Sequence, residues 1–188
     1  MKTKIFILIA LLFTATEVSA QTFLYTHNRI HTGQDANSNT FTFRSVVSTS
    51  NMVFLHNTAN TRMDVWPTFK DGSPLTERIK LGQELLLERD NWTRNRAHSV
   101  INNAFTHAER QRLRQRDAAL ITSMIIDTTT GRVVEVEFRF LANCEFATFP
   151  VSVFRHIELE LKRLLYFTPT EIGRQLNFVR RTWTQEVR

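Results

Sequence analysis

Cysteine is almost missing from this sequence, with Cys144 as the only one. A single thiol closes no intrachain disulfide, so the core alone must hold the fold. Glycine is nearly as scarce, and five glycines leave no phosphate-cradling loop. Four prolines and no glycine-rich or repeated tract exclude a long flexible spacer, so any domain boundary is tight. No apolar run is long enough to cross a bilayer, which takes roughly 20 residues. The longest, Ile5 to Phe13, follows Lys2 and Lys4 and precedes the small residues Val18-Ser19-Ala20. That is the pattern of a secretory signal peptide, with cleavage expected before Gln21 and no cysteine placed there for lipid attachment. The chain is expected to be exported, periplasmic or secreted, without a transmembrane anchor after cleavage.

What the sequence does contain is enough apolar material for one ordinary core: 42% hydrophobic residues, including 15 phenylalanines. In the first part, residues 21–90, the apolar positions alternate. Phe41 and Phe43 stand against Thr40, Thr42 and Arg44, and Met63 and Val65 against Arg62 and Asp64, which predicts strands with one buried face. "HNTANT", His56 to Thr61, is expected to join "MVFL" to "RMDVW" as a hairpin, and Thr22 to Tyr25 reads as strand. "KDGSP" marks a turn. Leu75 to Arg89 suits helix and buried strand equally.

From Trp92 the period becomes helical, with Asp90 and Asn91 as candidate N-caps. Thr106 and Glu109 form a capping box that opens a short basic helix. Ala119 to Asp127 and Arg132 to Leu141 read as two strands around "TTTG". In the second, Val134, Val136, Phe138 and Phe140 are expected on the core side, with Glu135, Glu137 and Arg139 on the solvent side. Phe138→Asp is accordingly expected to be severe and Glu137→Lys tolerated. A helix over Val151 to Leu165 follows, with Glu158 and Lys162 paired on its outer side. "QLNFVRRTWTQEV" is a last strand. The predicted class is α+β, an antiparallel sheet with packed helices, in which one helix crosses a three-stranded sheet over residues 91–188 and the β-rich region 21–90 packs on the rest.

Residues 91–188 resemble the C-terminal domain of TonB-type proteins. The matching positions are Gly131, Val133 and Val136 of the "G-x-V-x-x-V" strand, then Phe167, Pro169 and Gly173. The sequence also looks like exported bacterial proteins of unknown function, which implies a Gram-negative envelope. TonB-type transducers keep a membrane anchor and a proline-rich spacer, whereas a cleaved leader is expected here and the sequence holds only four prolines. What the resemblance implies is a small sheet that binds a partner segment along its edge.

No catalytic, cofactor-binding or metal-ligating residue is assigned. His27 and His31 would chelate only on a helix, and no third ligand accompanies them. The expected function is that of a non-enzymatic interaction module whose partner is an envelope protein or peptide. The candidate edge is Leu176, Phe178, Arg180, Arg181 and Trp183. The densest charge cluster is Arg110, Arg112, Arg114 and Arg116, with Arg94 and Arg96 upstream. Export excludes nucleic acid as its target and leaves an anionic envelope lipid or glycan, against the plainer reading of a solvated helix face. The alternative is a hydrolase-type enzyme in which Cys144 is activated by His98, His107 or His156.

Overall fold

The computed structural model describes residues 22–75, 86–90 and 92–187. The expected signal peptide with its cleavage point before Gln21, most of the ambiguous stretch Leu75 to Arg89, and Asn91 lie outside the described residues.

Three strands come first: β1 (Arg29–Gln34), β2 (Thr40–Val47) and β3 (Met52–Asn57). Then come α1 (Thr93–Asn103), α2 (His107–Gln115), β4 (Ala119–Ile126), β5 (Val133–Leu141), a 3-10 turn at Glu145–Thr148, α3 (Val151–Leu164), the short α4 (Glu171–Arg174) and β6 (Val179–Glu186). All six strands form one antiparallel sheet in the order β1-β2-β3-β5-β4-β6. The α+β class holds, and the sheet is twice as wide as the sequence suggests. The extra width has a plain cause. Leu55 of β3 lies opposite Phe138 of β5, and Val53 opposite Phe140. Strands β1 to β3 thus continue the apolar face of β5 as part of the same sheet.

Helix α3 covers that face. Phe154, Ile157 and Leu161 recur at helical spacing and are fully buried. The Phe154 ring stacks on Phe140 at 5.3 Å and 11° and meets Phe138 at 5.3 Å. Glu158 does pair with Lys162, at 2.6 Å, but not on a solvated side. It is fully buried and also accepts from Asn57 Nδ2 and Arg155 Nη1. The α2 start is as read, with Thr106 and Glu109 forming its capping box, whereas the N-cap of α1 is Trp92 and Asp90 supports that turn from two residues earlier by accepting from the amides of Trp92 and Thr93.

Three local readings need correction. "RMDVW" forms no strand. Its backbone groups are taken by side chains: Glu135 accepts from the amides of Thr61 and Arg62, and Arg180 donates to the carbonyls of Arg62, Met63 and Val65. Thr22 to Tyr25 is irregular, tied down by the Leu24 amide on Ala147 and the Tyr25 hydroxyl on Phe149 O. Val134 is not on the core side. The β4–β5 register shifts there, with Ile125 opposite Glu135 and Ile126 opposite Val133. A bulge adds one residue and reverses the face. Val134 instead packs with Ile125, Met63 and Phe178 on the far side of the sheet.

The β4–β5 turn shows why Gly131 is glycine. Asp127 Oδ1 accepts from the amides of Thr129 and Thr130, and Gly131 sits at φ +71° with its carbonyl bonded to the Phe167 amide at 2.7 Å. A Cβ there would lie 1.9 Å from Phe167 O. Gly131→Ala is therefore expected to cost more than about 1 kcal/mol from the backbone conformation alone, with the clash in addition. Thermal melting measures it, and an unchanged melting temperature would show that the turn is not closed by Phe167.

Candidate binding edge and its clefts

Strand β6 is terminal in the sheet, and among the described residues it pairs only with β4, from Ala119 opposite Glu186 to Ile126 opposite Val179. Its side chains alternate. Val179, Trp183, Gln185 and Val187 are buried on the helix side, with Arg181 half-buried among them, and Thr182, Thr184 and Glu186 are exposed. The structure divides the five edge residues read from the sequence. Leu176 and Phe178 are buried, and the backbone around them is already matched: Phe69 bridges Leu176, and the Asn177 amide donates to Thr68 O. Both therefore drop out of the edge, because the segment around Thr68 to Lys70 covers it there. Arg180, Arg181 and Trp183 stay on the strand.

Arg180 is turned away from the edge. Its Nη2 donates to three carbonyls, at 2.7 to 3.0 Å, and burial lowers its pKa from the ordinary guanidinium value. It fastens residues 62–65 over the open face of the sheet. Arg181 points the other way. Its guanidinium lies over Trp183, 5.6 Å from the ring centroid, and Trp183 meets Phe167 at 5.8 Å. These residues wall a cleft of about 270 Å³ with Leu87, Glu88, Arg89, Asp90, Thr93 and Arg94. Phe167, Asp90 and Arg89 were not legible as neighbours of β6. The only sequence signal for them was the candidate cap Asp90.

The open face carries a polar row that the alternation of β5 marked as solvent-facing. Arg44, His56, Glu137, Ser123 and Thr182 stand in register across the sheet. Glu137 is only 3% exposed. Arg139 Nε donates to it at 2.6 Å, while His56 Nδ1 lies 3.6 Å away, beyond good hydrogen-bond range. Burial disfavours the charged carboxylate, but the contacts with His56 and Arg139 outweigh it and hold the Glu137 carboxyl below its ordinary value. A shallow cleft of about 580 Å³ opens beside His56, lined by Arg44, Arg29, Asn60 and Asp64.

The arginine cluster of α2 is not one patch. Arg110 donates to the carbonyls of Asn102 and Phe105 at the end of α1, and Arg112 lies 3.2 Å from the buried Glu145. Arg114 and Arg116 are exposed. Half of the proposed anion site is thus occupied in joining α2 to its neighbours. Cys144 sits half-buried before the 3-10 turn, where burial pushes its thiol up. That environment disfavours a nucleophilic thiolate. His31 bonds the Ser45 hydroxyl at 3.0 Å from a strand, and His27 contacts Thr26. Among the described residues no group of three or more His, Cys, Asp or Glu could hold a metal, and no helix is long and apolar enough to cross a membrane.

No curated protein matches the chain. The crystal structure of a DUF5043 family protein from Bacteroides uniformis ATCC 8492 is similar to it, with 27% sequence identity over 89% of each chain and a TM-score of 0.77. A family model described as a domain of unknown function, DUF5043, matches residues 21–183 and so spans β1 to most of β6. The chain belongs to the DUF5043 family.

Proposed function

We propose that this chain is an exported, non-enzymatic interaction module that binds an extended partner segment along the outer edge of β6. One observation carries the reading: β6 ends the sheet, and beyond Phe178 its outer side has no backbone partner among the described residues. An edge strand presents alternating amides and carbonyls that template another strand, and such β-augmentation is a common mode of peptide recognition. The N-terminal leader pattern supports export, so the partner is an envelope or secreted protein. The TonB-like motif around Gly131 and Phe167 supports the same mode of binding. In the structure it supports the strand pair β4 and β5 on which β6 rests.

Proline substitution tests the edge, because successive amides of a strand point to opposite sides. Thr184→Pro and Gln185→Pro probe two such amides. One variant is expected to lose a ladder bond to β4 and melt lower. The other is expected to keep its melting temperature and lose binding to peptides selected by the wild-type chain from a random displayed library. N-methylation of those peptides at alternate residues should abolish binding in one phase only. If both variants unfold, the strand is interior and the reading fails.

A further inference from the structure

We infer that the segment added to β6 is acidic, with a carboxylate side chain seated in the cleft against Arg181; this rests on the edge reading above. Residues directly opposite each other on paired strands share a face. A partner residue opposite Arg181 or Trp183 therefore points to the helix side, into the cleft, and its neighbours point toward Thr182 and Thr184. The strand edge and the cleft together set a period of two on the partner.

The cleft is short of acceptors. Among the described residues three guanidinium groups line it, those of Arg89, Arg94 and Arg181, against the carboxylates of Glu88 and Asp90. Asp90 gives its hydrogen-bond capacity to the first turn of α1, where it takes the amides of Trp92 and Thr93 and the Thr93 hydroxyl, while its charge still acts on Arg181. Arg181 Nε is buried and has no hydrogen-bond partner among the described residues. Its flat face is held by Trp183, which fixes the plane in which its donors point. A carboxylate brought in by the partner meets the guanidinium of Arg181, which lines the cleft, with a charge-assisted bond. Trp183 and Phe167 supply the apolar wall for the methylene stem of such a side chain. Glu88, on the exposed side of the cleft, disfavours a second carboxylate close by. One acid in the cleft is the arrangement that balances these charges.

The probes are labelled peptides of alternating threonine and valine with a central Glu or Gln, titrated against the full mature chain by fluorescence anisotropy. The Glu peptide is expected to bind about tenfold tighter than the Gln peptide, the gain expected of one charge-assisted hydrogen bond. Arg181→Gln should shrink that preference to about twofold while leaving the Gln peptide unchanged. Arg89→Gln, on the exposed rim, should lower it by a smaller factor, so the result does not depend on how the Arg181 variant folds. Equal affinity of the two peptides for the wild-type chain overturns the inference and leaves the edge reading standing. A Glu preference that survives N-methylation of the peptide backbone keeps the cleft and removes the edge. Failure of both peptides to bind overturns both.

Discussion

Phe154→Ala is expected to lower the stability of the chain by about 3–5 kcal/mol, the usual cost of emptying a large aromatic site in a packed core. Phe154 is fully buried where α3 crosses the sheet, and three rings close on it: Phe140 at 5.3 Å, Phe138 at 5.3 Å and Tyr25 at 5.9 Å. They come from two separate parts of the fold. Phe138 and Phe140 belong to the middle of the sheet, and Tyr25 is anchored through its hydroxyl to Phe149 O. Truncation therefore opens a void that no single element can fill by moving. Denaturant unfolding should show a lower midpoint with an unchanged slope. Ser152→Ala, on the exposed side of the same helix, should stay within about 0.5 kcal/mol of wild type. A loss below about 1 kcal/mol for Phe154→Ala would mean that α3 does not dock on β5 as described.

The local elements were legible because local chemistry decides them. Alternation fixed β2 and β5, and the Phe154, Ile157, Leu161 spacing fixed α3. Thr106 with Glu109 fixed the start of α2, and "DTTTG" fixed the turn. The strand order was not legible, because the pairing of β3 with β5 joins segments more than 80 residues apart and nothing in either strand names its partner. Two of the local misreadings come from alternation that long-range contacts override. Met63 and Val65 alternate like strand residues, but Glu135 and Arg180 take the backbone groups that a ladder would need. Val134 follows the alternation until the bulge opposite Ile125 and Ile126 shifts it.

The candidate site was legible in outline. A closing strand after a helix is a natural edge, and Arg181 and Trp183 were read on it, though not the face they share. Leu176 and Phe178 were misplaced because their cover, near Thr68, is some 109 residues upstream. The arginine cluster is divided for a geometric reason. Positions 110, 112, 114 and 116 are two apart, and on a helix residues two apart do not share a face. Arg110 and Arg112 consequently meet different neighbours, the end of α1 and Glu145.

Glu137→Lys is the substitution on which the sequence and the structure disagree most. Alternation alone places Glu137 on the solvent side of β5, where a lysine would be harmless. The structure keeps the side of the strand but removes the solvent, because β3, β4 and the residues around Asn60 and Arg62 crowd that face and leave Glu137 3% exposed. A lysine there would sit beside Arg139, and the half-buried Arg180 nearby would lose a compensating negative charge. Breaking a buried ion pair in this way costs about 3–5 kcal/mol, on the order of 10 °C in melting temperature for a chain of this size. Glu137→Gln keeps the shape and loses only the charge, so it should fall between lysine and wild type. The pH dependence has a definite sign. The folded pKa of Glu137 lies below the ordinary 4.5, so its contribution is present in full above that pH and is lost as pH falls through the lower folded value. The gap in stability between wild type and Glu137→Gln should therefore be widest near neutral pH and close on acidification. Equal melting of the lysine variant and wild type at neutral pH would show that the Glu137, Arg139 and His56 cluster does not form in solution. A gap that persists unchanged at acid pH would show instead that Glu137 acts through packing and not through its charge.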